Sequence, residues 1–167
     1  MSASTHVVVL GAMGVGKTTT GEALAAELEW RYVDSDVDLE RLTGVSGADF
    51  AAEHGVPALH ELEAAVLLGA LSSGERSVIS AAASTVENRL VRELLPLRAV
   101  VVRLVLSPSA TLERQAQGAH RRPMSEEELV RLAERREPFF SMLEDVRLDA
   151  GSSTDELVTA IVEHLGM

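Results

Sequence analysis

The chain has 167 residues, enough to bury one hydrophobic core, and 46% of them are apolar, which excludes a disordered protein. Its 26 acidic against 15 basic residues give a formal charge of −11, a field that repels nucleic-acid phosphates and anionic lipid surfaces. Cysteine is absent, so disulfides, thiolate metal sites and cysteine nucleophiles are excluded.

In chain order, a strand over His6 to Leu10 comes first, its apolar run Val7-Val8-Val9-Leu10 of the kind buried on both faces of a parallel sheet. It is far too short for a signal or membrane span, and Gly11 ends it. With no targeting segment visible, a soluble cytoplasmic protein is expected. Gly11 to Gly16 reads as a loop, and Lys17 to about Leu28 as a helix with Ala23, Leu24, Ala26 and Leu28 on its apolar positions. Arg31 to Val33 predicts a second strand, running into Asp34-Ser35-Asp36. Helical stretches near 37–42 and 48–54 are separated by Gly44 and Gly47. Pro57 starts a longer helix to about Leu71, with Leu59, Leu62, Val66 and Leu67 at helical spacing.

Ser77 to Ser80 predicts a third strand and Ala99 to Leu106 a fourth. Pro108 begins a helix reaching about Gln117, and residues 117–123 have loop chemistry. Ser125 with Glu128 carries a capping-box signature for a helix to about Arg136. Val146 to Leu148 predicts a last strand, and Ser153 with Glu156 repeats the box before a helix over 157–165. Strands alternating with helices imply a three-layer α/β fold, a parallel sheet covered on both faces. No repeat, low-complexity tract or linker divides the chain, so one domain over 1–167 is expected.

Residues Gly11, Ala12, Met13, Gly14, Val15, Gly16, Lys17 and Thr18 match the phosphate-binding loop pattern (P-loop) without a mismatch. Glycines let the backbone turn tightly and bring N–H groups against phosphate oxygens. The following helix presents free N–H groups and its positive dipole end to the same anion. Lys17 is placed to reach the β- and γ-phosphates, and the Thr18 hydroxyl to ligand Mg²⁺. These eight residues and Thr19 are the candidate nucleotide-binding set. No Asn-Lys-x-Asp guanine-reading sequence is present, which argues against a GTPase.

Asp34 and Asp36, two apart on what the sequence presents as extended backbone, would face one site at the carboxyl end of a strand. One carboxylate would serve the metal and the other the acceptor proton; alternatively Asp34 or Ser35 caps the next helix. Arg121 and Arg122 lie in a loop with Gly118 before and Pro123 after, suited to a lid over the phosphates or else a solvated basic pair. Arg136, taken alone, reads as a helix C-terminal arginine interacting with the dipole.

These segments together resemble the shikimate kinases: the loop, Asp34-Ser35-Asp36, Arg122-Pro123 and Arg136-Glu137-Pro138 in matching order over nearly the whole chain. The resemblance implies a P-loop kinase with a five-stranded parallel sheet and a mobile lid at about 117–124, using ATP and Mg²⁺ to phosphorylate shikimate or a related small hydroxylated metabolite. It makes Lys17, Asp36 and Arg122 catalytic, and Thr18 and Asp34 the metal residues. Arg114 would lie near the adenine, and Arg136 would grip a substrate carboxylate. A small molecule is the expected partner, with no nucleic acid or membrane, and the protein is expected to be a monomer. The alternative is a nucleotide-binding regulatory protein of the same fold without acceptor turnover.

Two departures lie on the acceptor side. Where these kinases carry a second carboxylate-binding arginine, this chain has His60, shorter and without a guanidinium fork. Where they carry three glycines, it has Ala81, Ala82 and Ala83, which add methyl groups and disfavour positive φ.

Overall fold

The computed structural model describes residues 6–117 and 124–167. In order, these form β1 (His6–Gly11), α1 (Lys17–Leu28), β2 (Arg31–Asp34), α2 (Ser35–Thr43), α3 (Gly47–His54), α4 (Val56–Leu71) and β3 (Ser77–Ser80). A 3₁₀ turn (Ala83–Glu87) follows, then α5 (Arg89–Arg98), β4 (Ala99–Val105), α6 (Pro108–Ala116), α7 (Glu126–Leu143), β5 (Val146–Asp149) and α8 (Thr154–Leu165).

The five strands make one sheet in the order β2-β3-β1-β4-β5, every pairing parallel. β1 sits at the centre because all six of its residues are buried, as a run without polar alternation requires. Its side chains divide by parity. Val8 and Leu10 enter one core cluster with Ala64 and Leu67 of α4, Val91 and Leu95 of α5, and Phe140 and Leu143 of α7. Val7 and Val9 enter the other, with Leu24 and Ala25 of α1 and Leu157 and Ile161 of α8. Strands β2 and β3 lie to one side of β1, β4 and β5 to the other. A crevice at such a reversal, at the carboxyl ends of the strands, is where open parallel sheets bind ligands.

Two regions differ from the sequence expectation. The 3₁₀ turn and α5 fill residues 83–98, where no element was expected. Asn88 starts α5, its side chain accepting from Val91 N at 3.1 Å. Helix α7 does not end near Arg136 but continues through Pro138 to Leu143. The proline removes the donor to the Glu134 carbonyl, but Glu134 is exposed and water can take that bond. Burial of Phe140 and Leu143 beyond the proline outweighs the loss. Both capping boxes are formed, at Ser125/Glu128 and Ser153/Glu156.

Candidate functional site

The P-loop joins β1 to α1 and its shape rests on glycine. At Gly11 (φ 153°) a Cβ would lie 2.6 Å from the Leu104 carbonyl oxygen, and Gly14 and Gly16 hold φ of 83° and 105°. The first turn of α1 has no side-chain cap and no acidic residue, so its N–H groups point into the loop without a competing anion. Lys17 Nζ donates to the carbonyls of Gly11 (2.8 Å) and Ala12 (3.2 Å) across the loop. Thr18 and Thr19 are exposed at its mouth.

Helix α6 braces the loop from behind. Arg114 donates to Val15 O (2.8 Å) and to Ala150 O (2.9 Å), and Gln115 Nε2 donates to Met13 O (3.0 Å). These bonds fix the Met13 and Val15 carbonyls of the loop against α6.

Asp34 ends β2 and caps α2. Its Oδ1 accepts from Asp36 N (2.9 Å) and Val37 N (3.5 Å), while Oδ2 accepts from the Thr18 hydroxyl at 3.3 Å. The capping role and the position beside Thr18 therefore hold together. The cap also corrects one premise: Asp36 is not on extended backbone but in the first turn of α2, where it is exposed.

Glu63 on α4 is a residue that sequence reasoning missed. It accepts from the Ser84 hydroxyl. Burial pushes its carboxyl above the usual range, the Ser84 bond opposes this, the charge of Asp36 raises it further, and Arg136 and Lys17 pull it down. Glu63 thus lies within electrostatic reach of Asp36, Lys17 and Arg136. One signal was available: Glu63 follows His60 by three residues, one helical face.

Arg136 projects from the middle of α7, its side chain 12% exposed. A helix C-terminal role is thus ruled out, since seven more helical residues follow it. Its Nε is buried without a hydrogen-bond partner, and the Glu87 carboxylate at 3.6 Å makes an ion pair rather than a hydrogen bond. Glu87 also pairs with Arg135 at 2.7 Å. Burial lowers the Arg136 pKa, against the opposing charge of Glu87. His60 is half-buried nearby; burial and then the Arg136 charge lower its pKa, so the imidazole is neutral at pH 7.

The alanines are accommodated without strain. Ala81 N donates to Val9 O at 3.2 Å, Ala82 has φ −63°, and among the described residues the only non-glycine with positive φ is Glu29. Positive φ is thus not demanded at 81–83. Arg122 lies outside the described residues. A hollow of about 430 Å³ lined by Val33, Leu42, Leu62 and Val66 opens elsewhere, along the outer edge of β2.

The family profile described as Shikimate kinase matches residues 13–166. The chain belongs to the shikimate kinase family. A shikimate kinase from Pseudoalteromonas translucida is 32% identical over 99% of both chains. Solved structures of the shikimate kinases from Bacteroides thetaiotaomicron (23% identity) and from Acinetobacter baumannii in complex with shikimate (24% identity) each superpose with a TM-score of 0.87. They cover 97% and 96% of this chain and 98% and 92% of their own, and at that identity they establish the fold. As a member of this family the protein is an ATP-dependent phosphotransferase with an alcohol group as acceptor. Among the described residues no helix is long and apolar enough to cross a membrane.

Proposed function

We propose that this shikimate kinase relative transfers the γ-phosphate of ATP to a hydroxyl of shikimate or of a closely related small hydroxylated acid, with Mg²⁺. The observation that carries the reading is the Thr18–Asp34 contact of 3.3 Å beside the P-loop lysine. Among the described residues no three His, Asp or Glu side chains could hold a metal by themselves. A hydroxyl and one carboxylate suit Mg²⁺, which takes few protein oxygens and fills its shell with water and substrate phosphate. When bound, the ion would neutralise charge on the phosphates.

The loop N–H groups and Lys17 hold the triphosphate, and Asp36 accepts the proton of the acceptor hydroxyl. The acceptor oxygen bonds to the γ-phosphorus, the bond from that phosphorus to the bridging oxygen breaks, and ADP leaves. Arg122 would offset charge on the transferred group, and Arg114, braced against the P-loop, would flank the base of the nucleotide. Arg136 supplies the cation for a substrate carboxylate, and neutral His60 makes that grip weaker than a pair of arginines would. A monomer working in the cytoplasm belongs to the same reading, the charge of −11 favouring separate, soluble chains.

The test is a coupled ADP-release assay of shikimate beside a panel of polyols, cyclitols and hydroxy acids. Acceptor-dependent release with shikimate or a near analogue is expected. Nucleotide binding without release for any acceptor would replace this reading by that of a regulatory binding protein.

A further inference from the structure

We propose that Tyr32, the single tyrosine of the chain, is a positioning residue that sets the separation of Thr18 and Asp34. The inference rests on the magnesium reading above. Tyr32 lies on β2, two residues before Asp34, and its hydroxyl is 2.9 Å from Ser80 Oγ and 3.4 Å from Asp34 Oδ2. Ser80 ends β3 and donates its own hydrogen to the Lys17 carbonyl at 3.0 Å. A hydroxyl has one hydrogen to give. Since that of Ser80 goes to Lys17, Ser80 accepts from Tyr32, and a chain of bonds runs from β2 through β3 to the first turn of α1.

That turn carries Thr18, so the strut fixes the metal residue on α1 relative to the one on β2. Space has been left for it. A Cβ at Gly21 on α1 would lie 2.7 Å from Tyr32 Cε2 and 2.6 Å from Ser80 Oγ, so only glycine admits the ring and the serine together. The N–H groups of Asp36 and Val37 hold Asp34 Oδ1, and the Thr18 hydroxyl reaches Oδ2; the Tyr32 oxygen, its hydrogen given to Ser80, is a neighbour of Oδ2 and acts through the strut. Without the phenolic oxygen, Ser80 keeps its bond to Lys17 but loses its tie to β2, and the turn that carries Thr18 is no longer fixed relative to Asp34.

Calorimetric titration of ADP at a series of Mg²⁺ concentrations tests this, using Tyr32→Phe, Ser80→Ala, the double variant and Asp34→Asn. Tyr32→Phe and Ser80→Ala should each raise the Mg²⁺ concentration for half-maximal tightening of ADP by about three- to tenfold. The double variant should be no worse than the stronger single one, because both changes cut the same chain. Affinity for ADP without Mg²⁺ should stay within about twofold of wild type. If Tyr32→Phe follows the wild-type Mg²⁺ curve while Asp34→Asn loses it, the strut is overturned and the metal reading stands. If Asp34→Asn follows the wild-type curve, the metal reading fails and the strut with it. An equal loss of ADP affinity with and without Mg²⁺ in Tyr32→Phe would mean general distortion of the loop, and would also overturn the proposal.

Discussion

Replacing Arg103 by Met should destabilise the fold in a way that depends on pH. Arg103 is on β4 with its side chain 10% exposed, inside a network that ties α7 to the sheet. It bonds Glu137 through two nitrogens at 2.5 and 3.0 Å, reaches Glu144 at 3.2 Å, and stacks 4.4 Å from the Phe140 ring centre. Removing one partner of a buried ion pair costs about 3–5 kcal/mol when the other is stranded. Here neither carboxylate is stranded: Arg147 stays 3.1 Å from Glu137 and 2.8 Å from Glu144. Methionine also keeps the apolar contact with Phe140. The expected loss is therefore about 2–3 kcal/mol, or roughly 5–10 °C in Tm for a chain of this size.

The pH dependence has a definite sign. The bond from Arg103 holds Glu137 at about 2, against burial, with Ser141 and Arg147 helping. A depressed folded-state value stabilises above the unfolded value, near 4.3, and that stabilisation fades as pH falls toward 2. Glu137 is 45% exposed, so water screens the pair and about 1–2 kcal/mol is the share at stake. Thermal melts followed by circular dichroism at pH 7 and pH 3 are the assay. The gap between wild type and Arg103→Met should narrow at pH 3, because wild type loses the Arg103 share of the Glu137 contribution whereas the variant has only the Arg147 share to lose. A variant melting within a degree of wild type at pH 7, or a gap of equal size at both pH values, would refute the reasoning.

Lys17→Ala should lower kcat by at least about a hundredfold in the coupled assay, because the developing phosphate charge loses its side-chain cation. Asp36→Asn should bind ATP as wild type does and lose about two to four orders of magnitude in kcat; wild-type turnover would remove Asp36 from the mechanism. His60→Arg should lower the KM for shikimate about tenfold or more by adding a fork to the carboxylate, and an unchanged KM would mean that the pocket does not take that group there. Gly21→Ala should cost about 1–3 kcal/mol in a denaturant titration, since its Cβ would overlap the Tyr32 ring and Ser80. Wild-type stability in that variant would mean the ring can move aside.

What the sequence made legible was local. β1, the P-loop and α1 follow from an apolar run, glycines and Lys17-Thr18 within thirteen consecutive positions of each other, and both capping boxes read directly from Ser and Glu three apart. α5 was not legible because its leucines divide, with Val91 and Leu95 buried while Leu90, Leu94 and Leu97 are exposed, and because Pro96 interrupts the pattern. α7 beyond Pro138 depends on partners distant in the chain: Arg103 is 34 residues from Glu137 and 41 from Glu144. The same holds for the site. The phosphate loop and Asp34 are signalled by motif, whereas Glu63 meets Ser84 across 21 residues and Tyr32 meets Ser80 across 48. No short-range pattern marks either pair.

The division of β1 side chains between two faces separates duties as well as cores. α1, which opens with Lys17 and Thr18, packs with α8 on one face, whereas α4, α5 and α7, bearing His60, Glu63 and Arg136, pack on the other. The strand backbone separates the two layers along most of their length, and they meet only at the carboxyl ends of the strands, where the Lys17 charge reaches Glu63. A substitution at His60 is therefore expected to leave the Arg114 and Gln115 brace of the P-loop in place, since that brace stands on α6 and not on α4.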